Sequence, residues 1–325
     1  MSFYFDLTTP LEKLLAKTSL ESALLREFRN IGWELSPERA RVRLTGPETH
    51  YYAADKALPA PVEFHSAFSS YLDVYLYHAR KRQYCFAYDD VWTGYFIADH
   101  LTQCQHSGEP VRLIHLDDHT DMMSTLLVRE GSGLKDLQAD AIFDPLCTGQ
   151  WVEAISNGSI TIGNFLTALF YMPNDFQICH LNNFDTSDYQ QYEVEAADKP
   201  SRLLKNISFA TIHKRQAARK IRLGTYMGGN NPSRVVENFS NKNVMVHIDL
   251  DYFINDCNGN LDCKSQDIEG LRASASAKIV QFFDAINSNH IKVDLWIICT
   301  SPGFCSYLHW DWLIEAISEG IKAIN

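Results

Sequence analysis

The stretch LIHLDDHTDMM, residues 113–123, begins as an apolar strand and ends with three aspartates and one histidine within five residues. These charged residues are Asp117, Asp118, His119 and Asp121. Crowded carboxylates repel one another, and burying them is costly unless a cation compensates their charge. The stretch therefore predicts a buried strand that leads into a cation-binding loop.

A second acidic run, VHIDLDYF (residues 246–253), also follows an apolar stretch. Asp249 and Asp251 are two residues apart, so their side chains project to the same face of an extended strand. Carboxylates favour hard divalent ions and imidazole suits transition metals, so the mixed set favours Mn²⁺, with Fe²⁺, Co²⁺ or Zn²⁺ as alternatives. Acids at strand ends are also common as helix caps and in solvated turns. The occurrence of both runs after apolar strands favours the metal interpretation.

Short apolar runs alternate with helix-like segments through most of the chain. The runs that predict strands are 84–90, 111–118, 176–184, 244–253 and 293–302. The segments WVEAISNG (151–158), SRLLKNISF (201–209) and IEGLRASASAKIVQFFDAINSN (268–289) predict helices or include them. This alternation is typical of a parallel sheet covered on both faces, and it predicts a three-layer α/β/α sandwich with a mainly parallel sheet. Functional groups gather at the carboxyl ends of such strands.

The N-terminal part has a different pattern. Leucines at helical spacing after Pro10, and a helix-like stretch from Phe64 to about Arg80, predict a mainly helical portion over residues 1–80 that packs on the body. An α/β domain that carries the metal-binding runs is then expected over residues 81–325.

The composition limits the class of partner. The chain has 325 residues and a net charge of −11, which argues against nucleic acid because a phosphate backbone requires a basic face. No signal peptide is recognisable, and no apolar run has the ~18 residues of a membrane span, so no membrane partner is expected. The eight cysteines form no CxxC pair, and a reducing cytoplasm is the simplest location.

The two acidic runs carry a resemblance to a known family. DDHTD (117–121) and the later DLD (249–251) resemble the metal signature of the ureohydrolases, the family of arginase and agmatinase, whose pattern is DAHxD and then DxDxxDP. The longer stretches LIHLDDHTDMM, ITIGNFLTALFY, VHIDLDYF and TSPGF are similar to the branch that contains bacterial peptide arginases. These enzymes convert arginine side chains in ribosomally made peptides to ornithine. The resemblance covers roughly residues 84–310.

The resemblance implies a ureohydrolase fold and a site with two Mn²⁺ ions per chain. Its ligands would be Asp90, Asp117, His119, Asp121, Asp249 and Asp251. Asp117 and Asp249 match the bridging carboxylates, whereas His119 and Asp251 match ligands of one metal. Asp121 matches a ligand of the other metal and the group that accepts a proton from water, so Asp121 and His119 are the expected catalytic residues. Asp90 stands in FAYDDVWTG where the family has a histidine, and Asp89 is the alternative.

Two features depart from the family pattern. The glutamate that holds the guanidinium in arginases is replaced by the stretch ICTSPG (298–303), and the histidine expected after DxHxD is absent. The guanidinium partner must therefore come from elsewhere. Asp185, after HLNNF, and Asn164, in TIGNF, are the expected substrate-binding residues.

The resemblance implies a hydrolase that cleaves the guanidinium of arginine residues in a peptide to ornithine and urea. An arginase or agmatinase that acts on a free guanidino compound is an alternative. A histone-deacetylase-like amidohydrolase with a single Zn²⁺ is another, although such enzymes use fewer metal carboxylates. The non-enzymatic alternative is a metal-stabilised module that binds basic peptides.

Overall fold

The computed structural model describes residues 4–7, 17–36, 41–104, 108–131, 133–185, 187–217, 219–259 and 268–324. Helices and strands alternate along this part of the chain. In chain order they are β1 (Tyr4–Asp6), α1 (Lys17–Glu27), β2 (Ile31–Ser36), β3 (Arg41–Pro47), α2 (Pro61–Phe64), α3 (Tyr71–Tyr75), β4 (His78–Arg80), β5 (Cys85–Ala87), α4 (Thr93–Gln103), β6 (Val111–Leu116), β7 (Leu127–Glu130), β8 (Gly133–Asp136), β9 (Ala141–Phe143), α5 (Thr148–Asn157), α6 (Phe165–Phe170), β10 (Phe176–Leu181), β11 (Gln190–Pro200), β12 (Ser208–Arg215), β13 (Arg222–Gly229), α7 (Pro232–Val236), β14 (Asn243–Asp249), α8 (Ile268–Ser288), β15 (Lys292–Cys299) and α9 (Tyr307–Ile324).

A nine-stranded sheet forms the centre of the molecule, in the order β12-β11-β13-β10-β6-β14-β15-β5-β4. The six strands from β13 to β5 in this order are parallel, and the flanking strands β12, β11 and β4 run antiparallel to their neighbours. All five strands expected from the apolar runs belong to the parallel part. The prediction of an α/β fold with a mainly parallel sheet is therefore confirmed.

Helices cover both faces of this sheet. Leu113, Ile178 and Ile297 pack in a core with α4, α5 and α6 on one face. Ile114, Cys179 and other alternate strand residues pack with α7, α8 and α9 on the opposite face. Continuous apolar strands are required here because each face of the sheet is buried.

In the residues that the structure describes, the N-terminal portion has strands beside its helices, where the sequence predicted a mainly helical portion; Pro10 and the residues up to 16 lie outside the described part. β1, β3 and β2 form a three-stranded antiparallel sheet in that order, with α1 as an 11-residue helix beside it. In RVRLTGP the buried residues Val42 and Leu44 alternate with more exposed ones, which is the period of a strand with one covered face. Of the helix expected over residues 64–80, only Tyr71–Tyr75 and Phe64 itself are helical, and His78–Arg80 is an edge strand of the main sheet.

The small N-terminal sheet packs against the body. Leu24 of α1 and Phe28 just after this helix join Val42 in a cluster with Leu126 and Phe209 of the main domain. The SRLLKNISF segment, expected to be helical, instead connects β11 to β12 and contributes the first residues of β12. Among the described helices, none combines the length and the apolar character that a membrane span requires.

Candidate metal centre

The expected metal ligands leave the carboxyl ends of three strands of the parallel sheet. Asp90 begins a short 3-10 turn after β5, whereas Asp117, His119 and Asp121 follow β6. Asp249 is the last residue of β14. β6 and β14 are adjacent, and β15 alone separates β14 from β5, so the loops meet at one edge of the sheet.

The structure brings all of these side chains except Asp121 into two overlapping groups, and a third possible ligand group joins Asp117 to His115 and His247. Ligand atoms of Asp117, His119 and Asp251 lie within 4.8 Å of one another, and so do ligand atoms of Asp90, Asp117 and Asp249. Asp117 belongs to both groups. A carboxylate shared by two ligand sets is the arrangement that a bridging ligand requires.

The chemistry of the donors fits a pair of divalent cations. Asp90 Oδ1, Asp117 Oδ2 and Asp121 Oδ2 are buried and have no hydrogen-bond partner in the structure. Leaving such groups unsatisfied in the interior costs about 1–3 kcal/mol each, and more for charged groups. Carboxylate and imidazole together match Mn²⁺ and its transition-metal neighbours. The buried cluster is therefore a site that could hold metal, which Asp90, Asp117, His119, Asp121, Asp249 and Asp251 would bind.

Burial and mutual repulsion perturb the carboxylates strongly. Burial, followed by the charge of Asp121, raises the pKa of Asp90 and of Asp117 well above the ordinary value. Burial, followed by the charge of Asp251, does the same for Asp249. Ionising these groups together opposes folding unless a cation is bound.

The pH dependence of stability without metal tests this repulsion. The folded pKa of Asp90 lies above its unfolded value of about 3.9. The folded protein therefore loses stability progressively as the pH rises from about 3.9 through the folded pKa of Asp90. In chelator-treated protein, Asp90→Asn is expected to melt roughly 3 °C or more above wild type at pH 8. The difference should shrink towards pH 4. Differential scanning fluorimetry measures it.

Asp311→Asn removes the same charge from an exposed position on α9 and serves as the control. It should leave the melting temperature nearly unchanged at either pH. With Mn²⁺ added at pH 8, wild type should gain more stability than Asp90→Asn. An Asp90→Asn protein that is no more stable than wild type without metal would show that the cluster carries no repulsive strain.

The side chain of His119 lies between the carboxylates of Asp117 and Asp251. Its Nδ1 lies 2.8 Å from Asp251 Oδ2 and 3.6 Å from Asp117 Oδ1. Burial lowers the pKa of His119, but the hydrogen bond to Asp251 and the surrounding carboxylates outweigh this and raise it to about 9. Without metal, a protonated His119 therefore neutralises part of the negative charge of the surrounding carboxylates, and metal binding would displace this proton.

Backbone geometry folds the loop after β6 back over the sheet. Asp121 has a φ of 47°, in the left-handed region that non-glycine residues seldom adopt. Its carbonyl accepts a hydrogen bond from Leu166 N at 3.2 Å, and Met123 N donates to Gly163 O at 2.9 Å. Gly163 before α6 and Leu166 in its first turn thus hold the strained loop in place.

The two expected substrate-binding residues have other positions. Asn164 is buried; its Oδ1 accepts a hydrogen bond from Thr161 N, and its Nδ2 lies 3.4 Å from Ser124 O. Asp185 accepts hydrogen bonds from Asn182 Nδ2 at 2.9 Å and Gln190 Nε2 at 3.3 Å. Neither is among the described residues that line the cavity over the metal ligands. The structure thus gives both a role in holding loops, and the expected substrate contact stays a prediction.

That cavity has a volume of about 470 Å³ and a distinctive lining. Its acidic residues are Asp89, Asp90, Asp121 and Asp249. Tyr51, Phe304 and His119 add aromatic surface, with the Phe304 ring 5.7 Å from Tyr51 and 4.9 Å from His119 between centroids. Carboxylates and ring faces together favour a planar cation.

Asp89 is the acidic residue whose setting was not expected. Its carboxylate is buried and accepts hydrogen bonds from Tyr51 Oη at 2.8 Å and from Tyr52 Oη. Burial raises the pKa of Asp89 to about 7, although both tyrosine hydrogen bonds act to lower it. In the sequence the runs YDD and HYYAA gave no sign of this pairing, because the partners are 38 and 37 residues away.

A row of three buried histidines lies in the sheet beneath the ligands. His180, His115 and His247 occupy the same register position on β10, β6 and β14. His115 and His247 share a hydrogen bond of 2.7 Å between their Nδ1 atoms, and His180 Nε2 lies 3.1 Å from Asp117 O. The row thus ties together the strands that carry Asp117 and Asp249. The signal in the sequence is a histidine near the end of each of these three strands.

Comparison with known proteins does not classify the chain. No model of a known protein family matches it, and no curated protein matches it.

Proposed function

We propose that this protein is a binuclear metal hydrolase of the ureohydrolase type that converts arginine residues in a peptide to ornithine and releases urea. The observation that carries the proposal is the pair of ligand groups that share Asp117. The unpartnered carboxylate oxygens and the acidic, aromatic cavity above them support the same chemistry. Mn²⁺ is the metal that this donor set favours, with Fe²⁺, Co²⁺ or Zn²⁺ as alternatives.

Metal ions held by these side chains would supply a hydroxide nucleophile near neutral pH by lowering the pKa of water. The oxygen of water forms a bond to the guanidinium carbon, and the bond from that carbon to the side-chain nitrogen breaks. The leaving nitrogen gains two protons to become the ammonium of ornithine, and the remainder is urea. Asp121 Oδ2, which is buried, makes no hydrogen bond and lies 3.5 Å from His115 Nε2, would accept a proton and pass it on.

Asp89 would supply the guanidinium contact that a glutamate provides in arginases and that this chain lacks at ICTSPG (298–303). Its carboxylate lines the cavity, and Tyr51 and Tyr52 hold it in place. A guanidinium presents planar N–H donors that match a carboxylate and stacks well on aromatic rings such as Phe304. Asp89 would therefore bind the substrate, while Asp90 would bind metal.

The test is mass spectrometry of an arginine peptide incubated with the Mn²⁺-loaded protein. We expect each converted arginine to lose the mass of CN₂H₂, with an equal amount of urea released. An N-acetylated, C-amidated peptide should exceed free arginine in kcat/KM by at least roughly tenfold, because peptide contacts outside the metal cavity add binding energy. Faster hydrolysis of free arginine would instead identify an ordinary arginase.

The same assay distinguishes this reaction from deacylation and from simple binding. A deacylase would bind one Zn²⁺ per chain and release acyl groups from acyl-lysine peptides without forming urea. His115 and His247 are paired, but both are fully buried and cannot reach a substrate, which weighs against that chemistry. A binding module would retain the peptide and metal with no product.

A further inference from the structure

A second cavity adjoins the one over the metal ligands. It has a volume of about 710 Å³ and lies against the end of α1 and the start of β2. Arg29, Asn30, His50 and Met123 line both cavities. An arginine side chain that reaches the metal ligands leaves its backbone at this shared rim, so the neighbouring peptide residues would enter the second cavity.

The charge changes sign from one cavity to the other. The metal cavity is lined by four aspartates, whereas the charged residues around the second are Arg26, Arg29 and Glu48. Arg29 is exposed, and in the described residues its guanidinium has no hydrogen bond or ion pair. Arg26 Nε donates a hydrogen bond to Ser22 O at 3.1 Å. The shared rim therefore carries the cationic Arg29 next to the acidic metal cavity, which attracts cations.

We propose that the second cavity binds the residues that flank the target arginine and that Arg29, with Arg26 beside it, selects an acidic side chain among them. This inference rests on the proposed function. The acidic cavity takes the guanidinium, and the cationic rim takes a carboxylate a few atoms further along the same peptide. Guanidinium and carboxylate pair through charge-assisted, bidentate hydrogen bonds. A lysine or arginine at the same peptide position would meet like charge and be disfavoured.

The experiment uses blocked peptides with one arginine and glutamate, glutamine or lysine scanned through the three positions on each side. At one position or more, wild type should hydrolyse the glutamate peptide with a kcat/KM roughly three- to tenfold above that of the glutamine peptide, the range for a partly exposed ion pair. The difference should lie mainly in KM and weaken with salt. Arg29→Gln should abolish the preference, and Arg29→Glu should shift it towards lysine.

Arg82→Gln is the matched control, because Arg82 is exposed in the turn before β5, at the opposite end of that strand from the site. It should keep the wild-type preference. Equal rates on all three peptides at every position, in wild type and Arg29→Gln alike, would overturn the inference and leave the proposed function standing.

Binding of the matching ornithine peptides to the Mn²⁺-loaded protein, measured by calorimetry, separates the two proposals. Tighter binding of the glutamate peptide that depends on Arg29, without urea release from any arginine peptide, would support the flanking site and overturn the reaction.

Discussion

Asp117→Asn is expected to remove bound metal and to lower urea release at least about a thousandfold, since loss of a shared carboxylate removes several kcal/mol of transition-state stabilisation. Asp117 belongs to both ligand groups, so its substitution should affect both ions. Asp249→Asn affects the group that also contains Asp90, and we expect it to retain at most one ion with a similar loss of activity. Metal content by plasma mass spectrometry and urea release measure the two effects.

Asp118→Asn is the control within the same acidic run. Asp118 Oδ2 accepts a hydrogen bond from Asn255 Nδ2 at 2.9 Å; its Oδ1 is buried without a hydrogen bond, but Asp118 is in neither ligand group. This variant should keep two metal ions and most of the activity. Two ions per chain and wild-type rates in Asp117→Asn would refute the binuclear site.

Asp89→Asn is expected to lower kcat/KM for an arginine peptide about a hundredfold or more while leaving the metal content unchanged. Breaking a buried charge pair by removing one partner costs about 3–5 kcal/mol, and the guanidinium here would lose its carboxylate. Urea kinetics with metal analysis of the same sample measures the effect. Normal activity in Asp89→Asn would show that the guanidinium is held by another group.

Two further variants test whether the expected loss in Asp89→Asn is specific to the Asp89 carboxylate. Tyr51→Phe removes one of the hydroxyls that hold Asp89, so it should cause a smaller loss, mainly in KM. Asp185→Asn neutralises a carboxylate outside the cavity lining and should leave kcat/KM near wild type. If Asp89→Asn lost metal as well as activity, Asp89 would be a metal ligand, and Asp90 would need the same test.

The two aspartates after β5 illustrate how structure decides between neighbours in a sequence. The run YDD offers two adjacent carboxylates, and either could replace the histidine of the family pattern. The structure groups Asp90 with Asp117 and Asp249, whereas Asp89 is held by Tyr51 and Tyr52. Adjacent side chains point in different directions, so one loop can provide a metal ligand and a substrate contact.

The sequence by itself determined five of the six parallel strands and the set of candidate acidic ligands. A buried parallel strand must be apolar along its length, and this local requirement marks β5, β6, β10, β14 and β15 without knowledge of their neighbours. The alternation of Asp117, His119 and Asp121 is equally local, as is that of Asp249 and Asp251. Because parallel strands present their carboxyl ends at one edge of the sheet, these runs were expected to meet.

Only the tertiary structure decided which distant groups surround those ligands. The small N-terminal sheet, the tyrosines on Asp89 and the histidine row across β10, β6 and β14 each join segments far apart in the chain. The second cavity likewise forms where α1 and β2 meet the loop after β6. Such contacts depend on how separate elements pack, and no local period records them. The strand-end chemistry was therefore readable from residue spacing, whereas the surroundings that would hold a guanidinium and a peptide were set by packing.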